Sequence, residues 1–171
     1  GASCPELLPR FDDKYREILP RGKELGNNAF RMSFDFAELC PEEGVFNGEK
    51  MAHYVRVLAK CHALGMEPMV TLNHWTLPKS FAQYDQKDRI KKGPLENPRI
   101  VDHFAFYVDK VADFIFDSQK IREALKDEGY DMNFLDKICD EKMLCQWFIS
   151  LNEPVNMIFT PYMVGEFPPY Q

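Results

Sequence analysis

The stretch that decides the fold covers residues 143–154 and reads MLCQWFISLNEP. Six of its first eight residues are apolar, and this length and composition predict a fully buried strand. Because Pro154 has no N–H to donate to a neighbouring strand, we expect the strand to end at Glu153. Ligands bind at the carboxyl ends of strands in α/β sheets. Glu153 is therefore a candidate acid or base, with Asn152 as a neutral hydrogen-bonding neighbour.

Three of the candidate residues also have simpler interpretations. Asn and Pro are strong turn residues, so Asn-Glu-Pro by itself favours an ordinary surface turn around Glu153. Arg31 lies in a short apolar run, where a buried guanidinium needs a carboxylate or a cavity; alternatively, it extends into solvent from an edge strand. A lone histidine such as His74 is usually a packed or surface side chain, so its weight comes from its position.

The composition is that of a globular protein. The 171 residues are 45% hydrophobic and 28% charged, which suffices to bury one core. The formal net charge of -6, with both signs interspersed, disfavours nucleic acid and anionic membrane as partners. No apolar run has the length of a membrane span, and the first residues lack an export signal pattern. The five cysteines are scattered and form no Cys-x-x-Cys pair, so we expect no metal or other cofactor, no disulfide framework and a reducing, cytoplasmic compartment.

Hydrophobic periodicity predicts alternating helices and strands. The predicted strands cover residues 28–34, 67–75 and the opening stretch, and residues 76–96 are a long polar loop. The predicted helices are residues 7–25 (broken at Pro20 and Gly22 and ended at Gly26), residues 47–65 (capped by Asn47 and closed by Gly65), and two short helices around Gly129. A further helix starts at Asn97 and Pro98, and its apolar stripe is Val101, Phe104, Ala105, Val108, Val111, Ala112 and Ile115.

This alternation predicts a parallel sheet with crossover helices. All three strands then end at one edge of the sheet, in the region 33–38, at His74 with Trp75, and at Asn152 with Glu153. An active site at the end of a barrel needs residues from the tips of several strands. The agreement of three tips therefore favours a functional site over an isolated turn.

Five motifs resemble, in order and approximate spacing, family 1 glycoside hydrolases of the β-glucosidase and β-galactosidase type, especially the archaeal branch. They are RMSFDF (31–36), MVTLNHWTLP (69–78), GPLENP (93–98), WFISLNEP (147–154) and GEFPP (165–169). The His-Trp-x-Leu-Pro stretch favours this family over xylanases and cellulases, which also carry Asn-Glu-Pro. Two positions depart from the family pattern: Glu38 stands where arginine is usual, and Phe36 where tryptophan is usual.

The resemblance implies a (β/α)8 barrel and retaining hydrolysis of β-linked sugars. It implies that Glu153 is the catalytic acid/base and that Asn152 holds the sugar 2-hydroxyl. It further implies that His74 binds a sugar hydroxyl, that Trp75 is part of the sugar-site wall, and that Arg31 lies against the nucleophile. Such an enzyme uses a second carboxylate, about 5 Å from the first, to attack the anomeric carbon.

The family places that nucleophile on its seventh strand, and a closed barrel takes about 250 residues. We therefore interpret residues 1–171 as one partial (β/α)8-barrel domain with strands two to four, and residues 117–142 as a helical insertion away from the sugar site. The rest of the barrel is expected from a second chain, a second copy or a missing segment. Within this chain, Asp35 and Glu38 are the nearest carboxylates on sequence grounds that could take the place of the nucleophile. The alternative function is a non-catalytic sugar-binding or assembly module derived from a glycosidase.

Overall fold

Three parallel strands form the centre of the protein. The computed structural model describes residues 11–87, 89–139 and 144–165. Strands β1 (Ala29–Ser33), β2 (Glu67–Asn73) and β5 (Trp147–Leu151) lie in the order β1-β2-β5, and both pairings are parallel. Ser33 pairs with Thr71, which pairs with Ile149, so the carboxyl ends of the three strands meet at one edge. The predicted parallel sheet is confirmed.

Helices connect the strands. They are α1 (Phe11–Glu24), α2 (Phe36–Leu39), α3 (Gly48–Ala63), α4 (Ile100–Ile115), α5 (Ser118–Leu125), α6 (Met132–Cys139) and α7 (Pro154–Phe159). Short 3-10 turns cover Lys79–Phe81 and Pro94–Glu96, and a π-helical turn covers Thr160–Val164. In the part of the chain that the structure describes, no helix is both long and apolar enough to cross a membrane.

The core lies between the sheet and the helices. Met32 and its register partner Val70 point to one face, together with Leu72, and all three are buried in one apolar cluster with α3 and α4. Tyr107 of α4 donates its hydroxyl to the Leu72 carbonyl oxygen at 2.8 Å, which ties that helix to β2. Full burial of one such aliphatic side chain contributes about 1.5–3 kcal/mol.

Helix α3 agrees with the prediction at both ends. The side chain of Asn47 accepts a hydrogen bond from the Lys50 N–H at 3.0 Å, as an N-cap should. Gly65 follows the helix with a φ of 65°, in the left-handed region where a side chain would be strained. The apolar positions expected on its inner face are buried.

Helix α1 corrects the prediction of a broken helix. Within the described residues it runs without interruption from Phe11 to Glu24, with Pro20 inside it, and residues 7–10 lie outside the described part. Proline removes only one backbone donor, and burial of Tyr15 and Leu19 holds the helix against the core. The predicted end is confirmed, because the Gly26 N–H bonds to the Lys23 carbonyl oxygen at 2.9 Å.

Helix α4 corrects both the predicted start and the predicted stripe. It begins at Ile100, and the Asn97 side chain accepts the Arg99 N–H at 3.1 Å in the preceding turn instead of capping the helix. Val101 is 70% exposed, and the buried stripe is Ile100, His103, Tyr107, Val111 and Ile115. Counting apolar residues missed His103, because a polar ring can also be buried when it finds a partner: its Nε2 lies 2.9 Å from the Cys40 carbonyl oxygen.

Two further predictions need correction. Residues 76–96 are not a plain loop: besides the 3-10 turns they contain an antiparallel ribbon of β3 (Gln83–Tyr84) and β4 (Ile90–Lys92). Strand β5 ends at Leu151 and is not fully buried, since Trp147 is 56% exposed. The reason is that, among the described residues, β5 pairs only with β2 and its other edge has no neighbouring strand.

Two short helices surround Gly129, as predicted. Helices α5 and α6 bury Ile121, Leu125 and Ile138 in the same core, and residues 140–142 lie outside the described part of the chain. Between them, Glu128 accepts a hydrogen bond from Arg16 of α1 at 2.6 Å. The segment is therefore anchored on the helix layer. Its status as an insertion stays a prediction.

The chain should lose stability in acid partly through His53. Its ring is half-buried, with Nε2 3.6 Å from an Asp12 carboxylate oxygen and without a hydrogen bond. Burial lowers the pKa of His53, and this outweighs the opposite effect of Asp12. The unfolded chain therefore binds this proton more readily, so the contribution to stability is present above about pH 6.5 and is lost as pH falls through the lower folded pKa. We expect His53→Gln to lose less stability than the parent between about pH 7 and pH 5, measured by urea unfolding. Equal pH dependence in both proteins would contradict this assignment.

Candidate active site

The tips of the three strands are held together beyond the end of β5. The Asn152 N–H donates to the Asn73 carbonyl oxygen at 2.9 Å, which extends the pairing of β2 and β5 by one residue. Asn152 is consequently buried although it is polar. The carboxyl ends of the strands meet at one edge, as the parallel sheet predicts.

Arg31 of β1 links all three strands. Its Nε donates to Thr71 Oγ1 at 2.9 Å on β2, and its Nη2 donates to Asn152 Oδ1 at 2.6 Å. Hydrogen bonds to a charged donor contribute about 1.5–3 kcal/mol each. The side chain is exposed at an edge strand of the described sheet, yet it is fixed by two neutral acceptors. Because Oδ1 of Asn152 accepts from Arg31, the amide Nδ2 is left as a donor.

His74 is positioned by a serine. Its Nδ1 lies 3.0 Å from Ser33 Oγ, at the end of the neighbouring strand β1. The ring is exposed, and its orientation is fixed from one side. When Ser33 donates this hydrogen bond, Nε2 carries the ring proton and can donate to a ligand on the open side.

Trp75 stands between His74 and Asn152. Its Nε1 donates to the Asn152 carbonyl oxygen at 2.9 Å, and its ring meets the His74 ring edge-on, with centroids 6.0 Å apart. The indole is 39% exposed and lines an apolar cavity of about 260 Å³. The other side chains of that cavity include Leu77, Tyr84, Ile90, Leu95 and Tyr162.

Glu153 lies at the strand tip with an exposed side chain. It directly precedes α7, and the Asn156 Nδ2 donates to its Oε2 at 3.3 Å. The predicted strand end is two residues too late, because Pro154 starts a helix and does not merely stop a strand. The carboxyl is nevertheless presented at the edge of the sheet where the other candidate residues meet.

Backbone strain is concentrated at this edge. Among the described residues, Trp75 (φ 72°) and Glu153 (φ 43°) are the only non-glycine residues with positive φ. Such conformations cost of order 1–3 kcal/mol each and persist only where the surroundings impose them. Asn152 connects the two strained residues through the indole hydrogen bond and the chain itself.

The two carboxylates nearest the candidate residues in sequence are engaged elsewhere. Asp35 caps α2 by accepting the Glu38 N–H at 3.1 Å, and Glu38 pairs with Lys50 of α3 at 2.6 Å. Burial lowers the pKa of Lys50, but its hydrogen bonds with Asp12 and Glu38 outweigh burial and raise it. Phe36 is fully buried against α4, its ring centroid 4.8 Å from that of Tyr107.

Sequence reasoning missed two polar residues on β2. Thr71 and Asn73 are buried, and their side chains bond to Arg31 and to the backbone around Trp75. The available signal was two polar residues at alternate positions in the otherwise apolar run before His74. The sequence places Ser33 at the start of the polar region 33–38 and assigns it no role of its own.

Comparison with known proteins identifies the class. The profile of Glycosyl hydrolase family 1 matches residues 11–134. Beta-glucosidase A from Enterobacter agglomerans is 31% identical over 100 residues, covering 58% of this chain and 19% of the relative. Klotho from Homo sapiens is 35% identical over 89 residues, covering 51% of this chain and 8% of the relative. The structure of a beta-glycosidase from Pyrococcus horikoshii is similar with a TM-score of 0.66 at 26% identity, covering 94% of this chain and 30% of that one.

The chain therefore belongs to glycosyl hydrolase family 1, and its fold is part of a (β/α)8 barrel. The three described parallel strands do not close a barrel. The chain spans less than a third of the length of these three relatives. The family profile ends before Asn152 and Glu153 and does not cover them.

Two threonines provide a matched test of the Arg31 anchor. Thr71→Val removes the acceptor for Arg31 Nε, and we expect the free energy of unfolding to fall by about 1–3 kcal/mol. Thr76→Val makes the same chemical change at a buried hydroxyl without a hydrogen-bond partner. It should be neutral or stabilising, since an unsatisfied polar group is replaced by a methyl group. Urea unfolding measures both, and equal losses in the two variants would contradict the importance of the anchor.

Proposed function

We propose that this chain carries the acid/base half of a retaining β-glycosidase of the β-glucosidase and β-galactosidase type. The observation that carries the proposal is the hydrogen bond from Arg31 on β1 to Asn152, which follows the last residue of β5 and directly precedes Glu153. It brings a cation, an amide and a carboxyl to one sheet edge, beside the Ser33–His74 pair. Retaining hydrolysis needs a carboxyl that donates a proton, a second carboxylate as nucleophile and hydrogen bonds to the sugar; the residues at this edge offer the first and the third.

Glu153 serves as the acid and then as the base. In the first step its carboxyl protonates the departing glycosidic oxygen while a second carboxylate attacks the anomeric carbon. In the second step, as a carboxylate, it removes a proton from the water that releases the sugar. Asn152 Nδ2 and His74 Nε2 hold sugar hydroxyls, and the Trp75 indole forms part of the wall.

The nucleophile comes from outside this chain. Asp35 caps α2, and Glu38 is ion-paired with Lys50. In the described part of the chain, Arg31 uses two of its five N–H donors, which leaves donors for a carboxylate arriving from the open side. That carboxylate would neutralise Arg31 and be held ionised by it.

The remaining barrel strands are the proposed partner. The exposed apolar residues on and after β5, such as Trp147, Val155 and Ile158, lie where a following strand and helix would pack. Residues 1–171 then form a single portion of the barrel, with residues 117–142 as an outer insertion. A second chain, a second copy or a missing segment would each complete it.

A reducing, cytoplasmic location is part of the proposal. Burial raises the pKa of the thiols of Cys40 and Cys61 to about 12 and that of Cys145 to about 11, so these buried cysteines stay protonated at neutral pH. The four cysteines in the described residues are free and buried. They serve as small core side chains, which suits a compartment without disulfide formation.

Hydrolysis of nitrophenyl β-glucoside and β-galactoside tests the proposed reaction. This chain is assayed alone and with a polypeptide that carries the remaining strands. Glu153→Gln should lower kcat/KM by about 10²- to 10⁴-fold, because general acid–base catalysis contributes this much. The loss should be smaller for a dinitrophenyl leaving group in the first step, since dinitrophenolate departs without a proton.

Glu123→Gln is the matched control, because Glu123 lies on the exposed surface of α5 and pairs with Lys126. It should leave the rate unchanged. If no assembly turns over these substrates, the non-catalytic sugar-binding or assembly module becomes the better assignment. Full activity in Glu153→Gln would remove Glu153 from its proposed role.

The proposed partnership predicts self-association of the isolated chain. Gel filtration with light scattering should give a mass above 20.0 kDa, because the free edge of β5 and its exposed apolar residues can pair with another copy. Trp147→Lys should shift the distribution toward the monomer. Val45→Lys, at an exposed apolar position in a distant loop, should leave it unchanged. A monodisperse monomer of the parent chain would contradict the prediction.

A further inference from the structure

Asn73 ends β2, and its polar side chain is 1% exposed. Both ends of its amide are used within three residues: Oδ1 accepts the Trp75 N–H at 2.8 Å, and Nδ2 donates to the Thr76 carbonyl oxygen at 2.9 Å. The side chain therefore closes a tight turn around His74 and Trp75. A short amide supplies the donor and the acceptor together, which neither leucine nor an ionised aspartate can do.

The turn that Asn73 closes contains the strained residue Trp75. Its φ of 72° lies in the left-handed region, which is rare for a large side chain. A backbone in this conformation needs support from its surroundings. The Asn73 side chain provides it on both sides, because it accepts the Trp75 N–H and donates to the Thr76 carbonyl oxygen. These two hydrogen bonds thereby set the direction in which the indole leaves the backbone.

The backbone of Asn73 also bonds to Asn152, the residue before Glu153. The Asn73 carbonyl oxygen accepts the Asn152 N–H at 2.9 Å, and the Trp75 indole donates to the Asn152 carbonyl oxygen at 2.9 Å. Asn152 is thus held at its N–H by Asn73 directly and at its C=O by Trp75. Glu153 directly follows Asn152 and has a left-handed backbone of its own, so its location depends on how Asn152 is held.

We infer that Asn73 is a positioning residue, whose side-chain amide holds Trp75 in its strained conformation and through the indole fixes Asn152 and Glu153. Its importance for catalysis rests on the proposed glycosidase function. Its effect on Trp75 does not. Asn73 has no role in proton transfer, because both of its polar groups are occupied by backbone partners.

Fluorescence tests the positioning without any substrate. The chain has two tryptophans, so Trp147→Phe leaves Trp75 as the only indole. In that background, Asn73→Leu, which keeps the number and branching of the side-chain heavy atoms, should shift the Trp75 emission to longer wavelength and raise its quenching by acrylamide about twofold or more, since the indole leaves its partly buried position. Asn47→Leu is the matched control, because it also removes an amide that accepts a backbone N–H, at the start of α3. It should leave both signals unchanged.

Unaltered emission and quenching in a folded Asn73→Leu would overturn the inference. Should that variant fail to fold, Asn73→Ser is measured in the same way, since its hydroxyl is too short to make both hydrogen bonds. A double-mutant cycle on unfolding with Trp75→Gly gives an independent readout. Glycine adopts positive φ without strain, so Asn73→Leu should destabilise the Trp75→Gly chain less than the parent. Equal losses in both backgrounds count against the inference.

The last test measures the turnover of the barrel that is completed with the remaining strands. Asn73→Leu should lower kcat about 10- to 100-fold with a smaller change in KM and should alter the pH profile, as expected when an acid/base is misplaced and substrate still binds. Asn47→Leu should leave kcat and the pH profile as in the parent. If the completed parent barrel shows no turnover, the proposed function is wrong, and the fluorescence result still stands. If Asn73→Leu keeps the kcat and the pH profile of the parent, only the catalytic part of the inference is overturned.

Discussion

Parallel pairing of β2 with two neighbours is the constraint on which the rest of this structure depends. Because β1, β2 and β5 run in one direction and in register, their carboxyl ends come together. The pairing continues past β5 through the Asn152 N–H and the Asn73 carbonyl oxygen. Every candidate residue is within one or two residues of such an end or on the strand leading to it. A slip in register would separate them.

The network at this edge has an unusual balance of order and exposure. Arg31, Asn152, Trp75 and Asn73 are connected by hydrogen bonds of 2.6–2.9 Å, and two of the residues there carry strained backbones. Yet Arg31, His74 and Glu153 are exposed. A preorganised but open set of polar groups is suited to meet further residues and a ligand, because the cost of ordering these side chains has already been met by the fold.

Much of the fold could be predicted from local patterns. The N-cap Asn47, the closing Gly65 and the spacing of apolar residues on α3 all agree with the prediction. Interactions between residues close in sequence determine such features. The errors occur where distant contacts decide. His103 and Tyr107 are buried on α4 because each finds a partner in a distant part of the chain. The His103 Nε2 lies against the Cys40 carbonyl oxygen, and the Tyr107 hydroxyl donates to the Leu72 carbonyl oxygen. Residues 83–92 form a ribbon whose pairing no single-segment pattern reveals.

For the candidate site, the sequence by itself determined which chemical groups stand at the ends of the strands, since an apolar run followed by His-Trp or Asn-Glu-Pro places them there. It also determined the family, through the order and spacing of several motifs. Only the tertiary structure decided how these groups hold one another: that Arg31 bonds to Thr71 and Asn152, that Ser33 orients His74, and that the Trp75 indole donates to the Asn152 carbonyl oxygen. The physical reason is that hydrogen bonds between strands depend on register and side-chain direction across about 40 to 120 residues of chain, which become defined only when the sheet forms.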